Sequence, residues 1–336
     1  MQFLRSLLAA TLFIAGAFPA FAIDTPAKQA LVYDFETGTV LLSKNADEQM
    51  PPSSMSKLMT TLMVFDRLKD GSLSLDDTFG VSKKAWKKGG SKMFVLVESE
   101  VRVEDLLRGI IVQSGNDACI VIAEGLGGTE EEFAEQMNRR ARELGMTGSH
   151  FENATGWPDP DHYMTARDLG RLARALIEDF PDYYHYYSEK EFKWADITQP
   201  NRNPLLYRDL GADGLKTGHT EAAGYGLVGS AVQDGRRVVL VVNGLGSVRE
   251  RSRESARLME WAFREFKNVE MFDKGETVLD GAVWLGSQQT VPLVLGDDLK
   301  LTLSRQAQRK MKVVAKYDEP IPAPINEGAQ IGVLEI

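Results

Sequence analysis

The sequence predicts an α/β domain over residues 23–266 and a small all-β domain over residues 267–336. Three observations carry that prediction. Up to about residue 266, helical patterns are bracketed by strand patterns at both ends of the segment. From Val269 onward the residues are β-formers and turn residues with no convincing helical period. With residues 1–22 set aside as a leader, about 310 residues remain, more than a single domain of ordinary size.

The leader reading rests on Arg5 as the one early cation, an apolar run from Leu7 to Phe18, and Ala20-Phe21-Ala22 as a small-x-small cleavage site. Ile23 would then be the first mature residue. The apolar run is short for a membrane span and no stop-transfer pattern follows it, so export with cleavage is expected. No later stretch is long enough to cross a bilayer. The net charge of −9 gives a nucleic-acid partner no electrostatic footprint. Cys119 is the only cysteine, so no intramolecular disulfide forms and the core must hold the fold.

Ala30 to Asp34 and Thr39 to Ser43 read as strands joined through a turn at Thr37-Gly38. Pro51-Pro52 cannot lie inside a helix but can lead into one. The helix that follows, Lys57 to Leu68, is apolar at Leu58, Met59, Leu62, Met63, Phe65 and Leu68, and stops before Gly71. Val103 to Val112 has a helical pattern that breaks at Gln113-Ser114-Gly115-Asn116. Asp117 to Leu126 resumes as a helix apolar around most of its circumference, the mark of a buried helix. Thr129-Glu130-Glu131-Glu132 opens a capped helix that ends at Gly145, and Thr165 opens another that runs to about Asp179, just before Pro181. Tyr225 to Val232 and Arg237 to Val242 form a hairpin about Asp234-Gly235. Glu250 to Phe266 is the last long helix.

Three short signals stand out on this frame. In Ser54-Met55-Ser56-Lys57, at a helix start, the hydroxyl and the amine lie one turn apart on the same side. An amine so placed can take a serine proton when no histidine is at hand. Ser114-Gly115-Asn116 falls in an interhelix loop and Lys216-Thr217-Gly218 at a strand edge. Each alone has a bland explanation: a capped helix start, an ordinary turn, a strand ending. Their order, separations and placement are jointly improbable by chance, and the trio is a known catalytic signature set.

On these motifs the chain resembles the penicillin-recognising serine enzymes, and within them the low-molecular-weight D-alanyl-D-alanine carboxypeptidases. Lys216-Thr217-Gly218-His219-Thr220 and Ser114-Gly115-Asn116-Asp117-Ala118-Cys119 are similar to segments of that family. So is the loop His150-Phe151-x-Asn153-x-x-Gly156. The resemblance spans nearly the whole mature chain. It implies a β-lactamase/transpeptidase-like domain, an antiparallel sheet packed with a helical subdomain, ahead of the all-β domain. It also implies peptidoglycan stem peptides as substrate, β-lactam antibiotics as inhibitors, and no cofactor or metal.

The residues make chemical sense as an acyl-transfer site. Ser54 would attack the carbonyl of the penultimate D-alanine, with a neutral Lys57 taking its proton. Burial and a second nearby cation, Lys216, would ease loss of the Lys57 proton. Ser114 would pass a proton to the leaving nitrogen, and Asn116 would hold Lys57 and a substrate amide. The resemblance implies backbone N–H groups of Ser54 and His219 as the oxyanion donors. Lys216, Thr217 and Gly218 would border the terminal carboxylate. Arg251 matches a family arginine there, although Arg249-Glu250-Arg251-Ser252-Arg253 also fits a solvated helix start.

Other chemistries find less support. No H-E-x-x-H zinc motif and no G-x-S-x-G elbow occurs. Cys119 reads as a buried small hydrophobe, and the aromatic stretch Tyr183 to Trp194 as packing. Some family members carry a histidine where Thr155 stands, so deacylation here must proceed otherwise. A β-lactamase would need an activating glutamate, for which Glu152 is the sole nearby candidate and lacks the expected partner spacing. A DD-endopeptidase and a non-catalytic wall-binding protein are the further alternatives. Gly332 to Ile336 reads as the middle of a strand, so either more chain follows or the protein is soluble in the periplasm. Membrane association would require a C-terminal segment beyond Ile336.

Overall fold

The computed structural model describes residues 6–9 and 23–336, so most of the expected leader lies outside the described residues. The chain divides into two compact units, one over Ile23–Ala262 and one built from Phe263–Ile336 with the N-terminal segment.

The larger unit has a five-stranded antiparallel sheet. Its strands are β1 (Gln29–Asp34), β2 (Val40–Lys44), β3 (Ala212–Thr220), β4 (Gly224–Gln233) and β5 (Arg236–Leu245), in the order β2-β1-β5-β4-β3. The β4–β5 hairpin turns at Asp234-Gly235, both with positive φ (51° and 78°), the backbone that a two-residue turn between twisted strands demands. β3 is an edge strand, so one side of its backbone has no strand partner. On the sheet, Leu31, Tyr33, Val239 and Val241 join the helical core, while the alternate residues Val32, Leu240 and Val242 are buried as well. Period-2 side-chain alternation therefore finds cover on both faces.

The helical part is arranged about α1 (Lys57–Lys69), whose Leu58, Met59, Leu62, Val64 and Phe65 have no exposure at all. Around the same core lie α2 (Lys83–Lys87), α3 (Val103–Ile111), α4 (Asn116–Gly127), α5 (Glu130–Glu143) and α6 (Ala166–Glu178). The predicted caps form: Thr129 Oγ1 accepts from the Glu132 N–H at 3.1 Å and Thr165 Oγ1 from the Asp168 N–H at 3.0 Å. Gly145, past the end of α5, takes φ 70°, the left-handed stop that glycine supplies most readily. The aromatic stretch is largely packing, with Tyr184, Tyr186 and Tyr187 buried. α7 (Val248–Glu265) closes the unit, and its Ala262 carbonyl accepts from Arg236 at 3.0 Å.

The second unit is mostly β. Strands β6 (Phe266–Phe272), β7 (Thr277–Trp284), β8 (Thr290–Leu295), β9 (Leu299–Ser304), β10 (Val314–Tyr317), β11 (Ile321–Pro322) and β12 (Gln330–Glu335) enclose a core of Val291, Leu293, Leu295, Ile321 and Leu334. The segment Ser6–Ala9 lies as a strand between β8 and β12, parallel to both. One short helix, α8 (Arg305–Lys310), departs from the expected absence of helix. Its six residues bury nothing, so no apolar period marked it; its only sequence signal was the Ser304 cap, which accepts from the Ala307 N–H at 3.1 Å.

Removing a cap tests whether these elements are held as described. Thr165→Ala should lower stability by about 1 kcal/mol, the usual value of such a bond, and shift the thermal midpoint down without changing activity at low temperature. An unchanged midpoint would mean α6 does not depend on its cap.

Candidate active site

Ser54 lies in a 3₁₀ turn, Ser53–Ser56, that runs straight into α1. A 3₁₀ turn has three residues per turn, so side chains at i and i+3 eclipse. Ser54 and Lys57 have that spacing, and Lys57 Nζ lies 3.0 Å from Ser54 Oγ. The second partner of the amine is the Thr155 carbonyl at 2.5 Å. Lys57 is fully buried. Burial pushes its pKa down to about 8; the nearby charges of Arg202 and Lys88 add to the fall, and Cys119 and Asp117 oppose it.

The backbone on either side of this pair is unusual. Ser53 and Ser114 both hold left-handed φ (52° and 59°), a conformation that costs a non-glycine residue about 1–3 kcal/mol and clusters at working sites. Gly156 also has positive φ (75°), and a Cβ there would sit 1.9 Å from the Ser53 carbonyl oxygen. The loop that carries Thr155 can therefore press onto the turn before Ser54 only with glycine at 156. Asn153 shapes that loop, its Oδ1 accepting from the N–H groups of Thr155 and Trp157 and from Thr155 Oγ1.

The third motif arrives on β3. Gly218 lets the strand approach the 3₁₀ turn, because a Cβ there would come 3.0 Å from Met55 Cγ and from the Pro52 carbonyl oxygen. Ser53 Oγ and Thr220 Oγ1, 3.2 Å apart, fasten strand to turn. Lys216 is buried, and burial, with the charge of Lys57 next, drives its pKa well below the ordinary lysine value. Arg251, from α7, is buried too; its Nη1 lies 3.4 Å from the Gly218 carbonyl and its guanidinium 5.7 Å from the centre of the Tyr225 ring. Desolvation brings its pKa down to about 10.

A cleft of about 340 Å³ collects Ser54, Ser114, Thr217, Gly218, His219 and Arg251 in one place, with Arg202 on its wall. Ser114 Oγ is buried and makes no hydrogen bond within the protein. Asn116 departs from expectation. Its amide nitrogen donates to the Gly89 carbonyl at 2.9 Å, and the hydrogen bonds of Lys57 run to Ser54 and Thr155, not to Asn116. The physical reason is the loop over residues 89–95, which sequence reasoning did not place and which lies against the start of α4. A cleft with a buried amine beside a serine, and the guanidinium groups of Arg202 and Arg251 in its lining, suits attack on a carbonyl next to a carboxylate.

The family profile for D-alanyl-D-alanine carboxypeptidase matches residues 17–246, and that for the penicillin-binding protein 5 C-terminal domain matches residues 266–336. The chain belongs to the D-alanyl-D-alanine carboxypeptidase family. It is 38% identical to D-alanyl-D-alanine carboxypeptidase DacC of Escherichia coli, over 99% of this chain and 87% of that one. Among solved structures it is similar to the D-alanyl-D-alanine carboxypeptidase DacD of Francisella tularensis, with TM-score 0.84 and 31% identity over 96% of this chain and 94% of that one. Penicillin binding protein 5 of Haemophilus influenzae follows with TM-score 0.80 and 34% identity over 94% and 93% of the two chains.

Three residues lining this family member's cleft, Ser91, Arg202 and Tyr225, had no role assigned from the sequence. Ser91 and Tyr225 line it, Tyr225 stacking on His219 with ring centres 3.9 Å apart. Arg202 Nη1 donates to Ser91 Oγ at 2.6 Å, from a loop whose sequence carries no signal. Asp117, wholly buried, accepts backbone N–H groups from Met93, Phe94 and Val95 at 2.9, 2.9 and 3.3 Å. That carboxylate ties the loop carrying Gly89 and Ser91 to the residue next to Asn116. Its place beside a catalytic-looking motif was visible; its target was not.

Two outcomes follow. Asp117→Asn sets a donor against backbone N–H groups, a buried mismatch of about 1–3 kcal/mol, so acylation of Ser54 by a penicillin should slow by about tenfold or more with the fold intact by circular dichroism. Rates equal to wild type would separate the loop from the chemistry. The second is a pH profile. Only the neutral Lys57 amine can take a proton, so the second-order acylation rate should rise with pH and level off above the value of about 8. A rate already flat at pH 6 would contradict a lysine base.

Proposed function

We propose that this cleft removes the terminal D-alanine from peptidoglycan pentapeptide stems through an acyl-enzyme on Ser54, and that β-lactams inhibit it by acylating the same oxygen. The observation that carries the proposal is the 3.0 Å approach of a buried Lys57 amine to the Ser54 hydroxyl.

In this mechanism Ser54 Oγ attacks the carbonyl of the penultimate D-alanine as its proton passes to Lys57 Nζ. The backbone N–H groups of Ser54 and His219 hold the oxyanion. As the carbon–nitrogen bond breaks, the proton reaches the departing D-alanine nitrogen by way of Ser114, whose hydroxyl has no competing partner. Water then opens the ester and restores Ser54. Arg251, Thr217 and Lys216 receive the substrate carboxylate, an anion that favours the charged form of Lys216, which burial disfavours. Asn116, with its nitrogen held by Gly89, presents its amide to the peptide.

Rapid β-lactam turnover has no support. Glu152 lies 3.3 Å from His150 Nδ1 at a partly exposed position, and Asp117 spends its carboxylate on backbone amides. Thr155, a neutral alcohol bonded to Asn153 and to the Trp157 N–H, lacks the basicity to activate a deacylating water. The leader pattern fits an exported protein working in the periplasm. The net charge of −9 offers nucleic acid nothing. Among the described residues no helix is long and apolar enough to cross a membrane.

Purified protein incubated with a diacyl-D-Ala-D-Ala peptide and, separately, with a penicillin tests the proposal. D-alanine release together with a long-lived penicilloyl adduct on Ser54 is expected; rapid penicillin turnover without peptide cleavage would point to a β-lactamase. Ser54→Ala should abolish both reactions. Lys57→Ala should slow acylation by about 100-fold or more, the scale of a lost general base. Arg251→Ala should raise KM for carboxylate-terminated peptides, and unchanged kinetics would remove it from the site.

A further inference from the structure

Five lysines crowd into ten residues at Lys83, Lys84, Lys87, Lys88 and Lys92, in a chain with 39 basic and 48 acidic side chains. Helix α2 and the loop after it carry them. Lys84 is neutralised by Glu130 and Glu131 at 3.0 and 3.1 Å. Lys88 Nζ lies over the Trp157 ring, 4.5 Å from its centre. Lys83 and Lys87 are exposed and form no ion pair among the described residues. Two exposed tryptophans border this segment: Trp86 within α2 at 42% exposure, and Trp157, which lies against Lys88, at 43%. Exposed tryptophan beside unpaired cations is a surface made to be covered by something anionic with flat, partly apolar faces.

Position decides what that is. The same segment supplies the Gly89 carbonyl that holds Asn116 and the Ser91 side chain that lines the cleft. Asp117 anchors it at Met93 to Val95. From Ser91 back to Lys87 is four residues, at most about 14 Å of chain. The four stem residues on the sugar side of the scissile bond also span at most about 14 Å when extended. A stem peptide reacting at Ser54 could therefore set its sugar end at this surface.

We propose that α2 and the loop over residues 83–92 dock the glycan strand and acidic stem peptides of the polymeric substrate, extending recognition beyond the cleft. This rests on the carboxypeptidase reading of the cleft. The small dipeptide end fills the cleft; the polymer covers Lys83, Trp86 and Lys87. Attraction over such a surface acts through on-rate and fades once the Debye length falls well below 10 Å.

The test compares two substrates. D-alanine release is measured from a diacyl-D-Ala-D-Ala peptide and from purified peptidoglycan sacculi, for wild type, for Lys83→Glu/Lys87→Glu and for Trp86→Ala. The small-peptide kcat/KM should stay within about twofold, while release from sacculi at low ionic strength falls by about tenfold in the charge-reversal variant, within the range that electrostatic steering supplies. Molar salt should bring wild type down towards the variant. Equal losses on both substrates, or no loss on sacculi, would overturn the proposal. A second arm uses Ser54→Ala protein, which cannot turn over, in pelleting assays with sacculi and with phosphatidylglycerol vesicles. Lysine-dependent pelleting with sacculi supports the docking surface; pelleting with vesicles alone assigns the patch to a membrane and rejects it. If wild type fails to cleave the small peptide, the reading of the cleft falls, while the pelleting arm still decides the surface.

Discussion

Lys57 holds its amine 3.0 Å from Ser54 Oγ at a point with no solvent exposure. In water that amine would be an ammonium at neutral pH and no use as a base. Burial lowers its pKa from 10.5 to about 8, which at 1.4 kcal/mol per unit means the fold bears a penalty of about 3 kcal/mol for the charged form. The folded value lies below the unfolded one, so the unfolded chain binds the extra proton between about pH 8 and 10.5. The penalty is full below that window and fades as pH rises through it. Reactivity at Ser54 is thus set against stability in the same side chain, and the nearly solid apolar packing of α1 makes the arrangement tolerable.

Everything near the pair serves its geometry. The 3₁₀ turn eclipses the two side chains where an α-helical turn would offset them. Ser53 and Ser114, one residue before the nucleophile and at the second motif, both hold left-handed backbone. Gly156 and Gly218 permit close approach from opposite sides, one bringing the Thr155 carbonyl to the amine and the other bringing β3 to the turn. β3 is the edge of the sheet, so no further strand pairs with the side of its backbone away from β4.

Much of this was legible in the sequence, for reasons that differ by element. The long helices announced themselves by apolar spacing and by Thr129 and Thr165, whose caps depend only on residues three positions away. The Asp234-Gly235 hairpin was legible because a two-residue turn is a local event. Ser54, Ser114 and Lys216 could be singled out because they sit in short contiguous motifs. What could not be read depended on partners far along the chain. Asp117 caps amides more than twenty positions away, Arg202 meets Ser91 across 111 residues, and Thr155 offers Lys57 a carbonyl, which any residue has. The Lys57 contact expected of Asn116 is absent, and its nitrogen is held by the Gly89 carbonyl, which comes from a loop with no periodicity.

The most direct test is to watch the Lys57 amine itself. With lysine side chains isotopically labelled and the Lys57 resonance assigned by comparison with Lys57→Ala, NMR titration of the free protein should give a midpoint near 8, well below the ordinary lysine value of 10.5. A Lys57 that titrates near the ordinary lysine value of 10.5 would mean the amine stays charged beside Ser54 and cannot be the group that activates it.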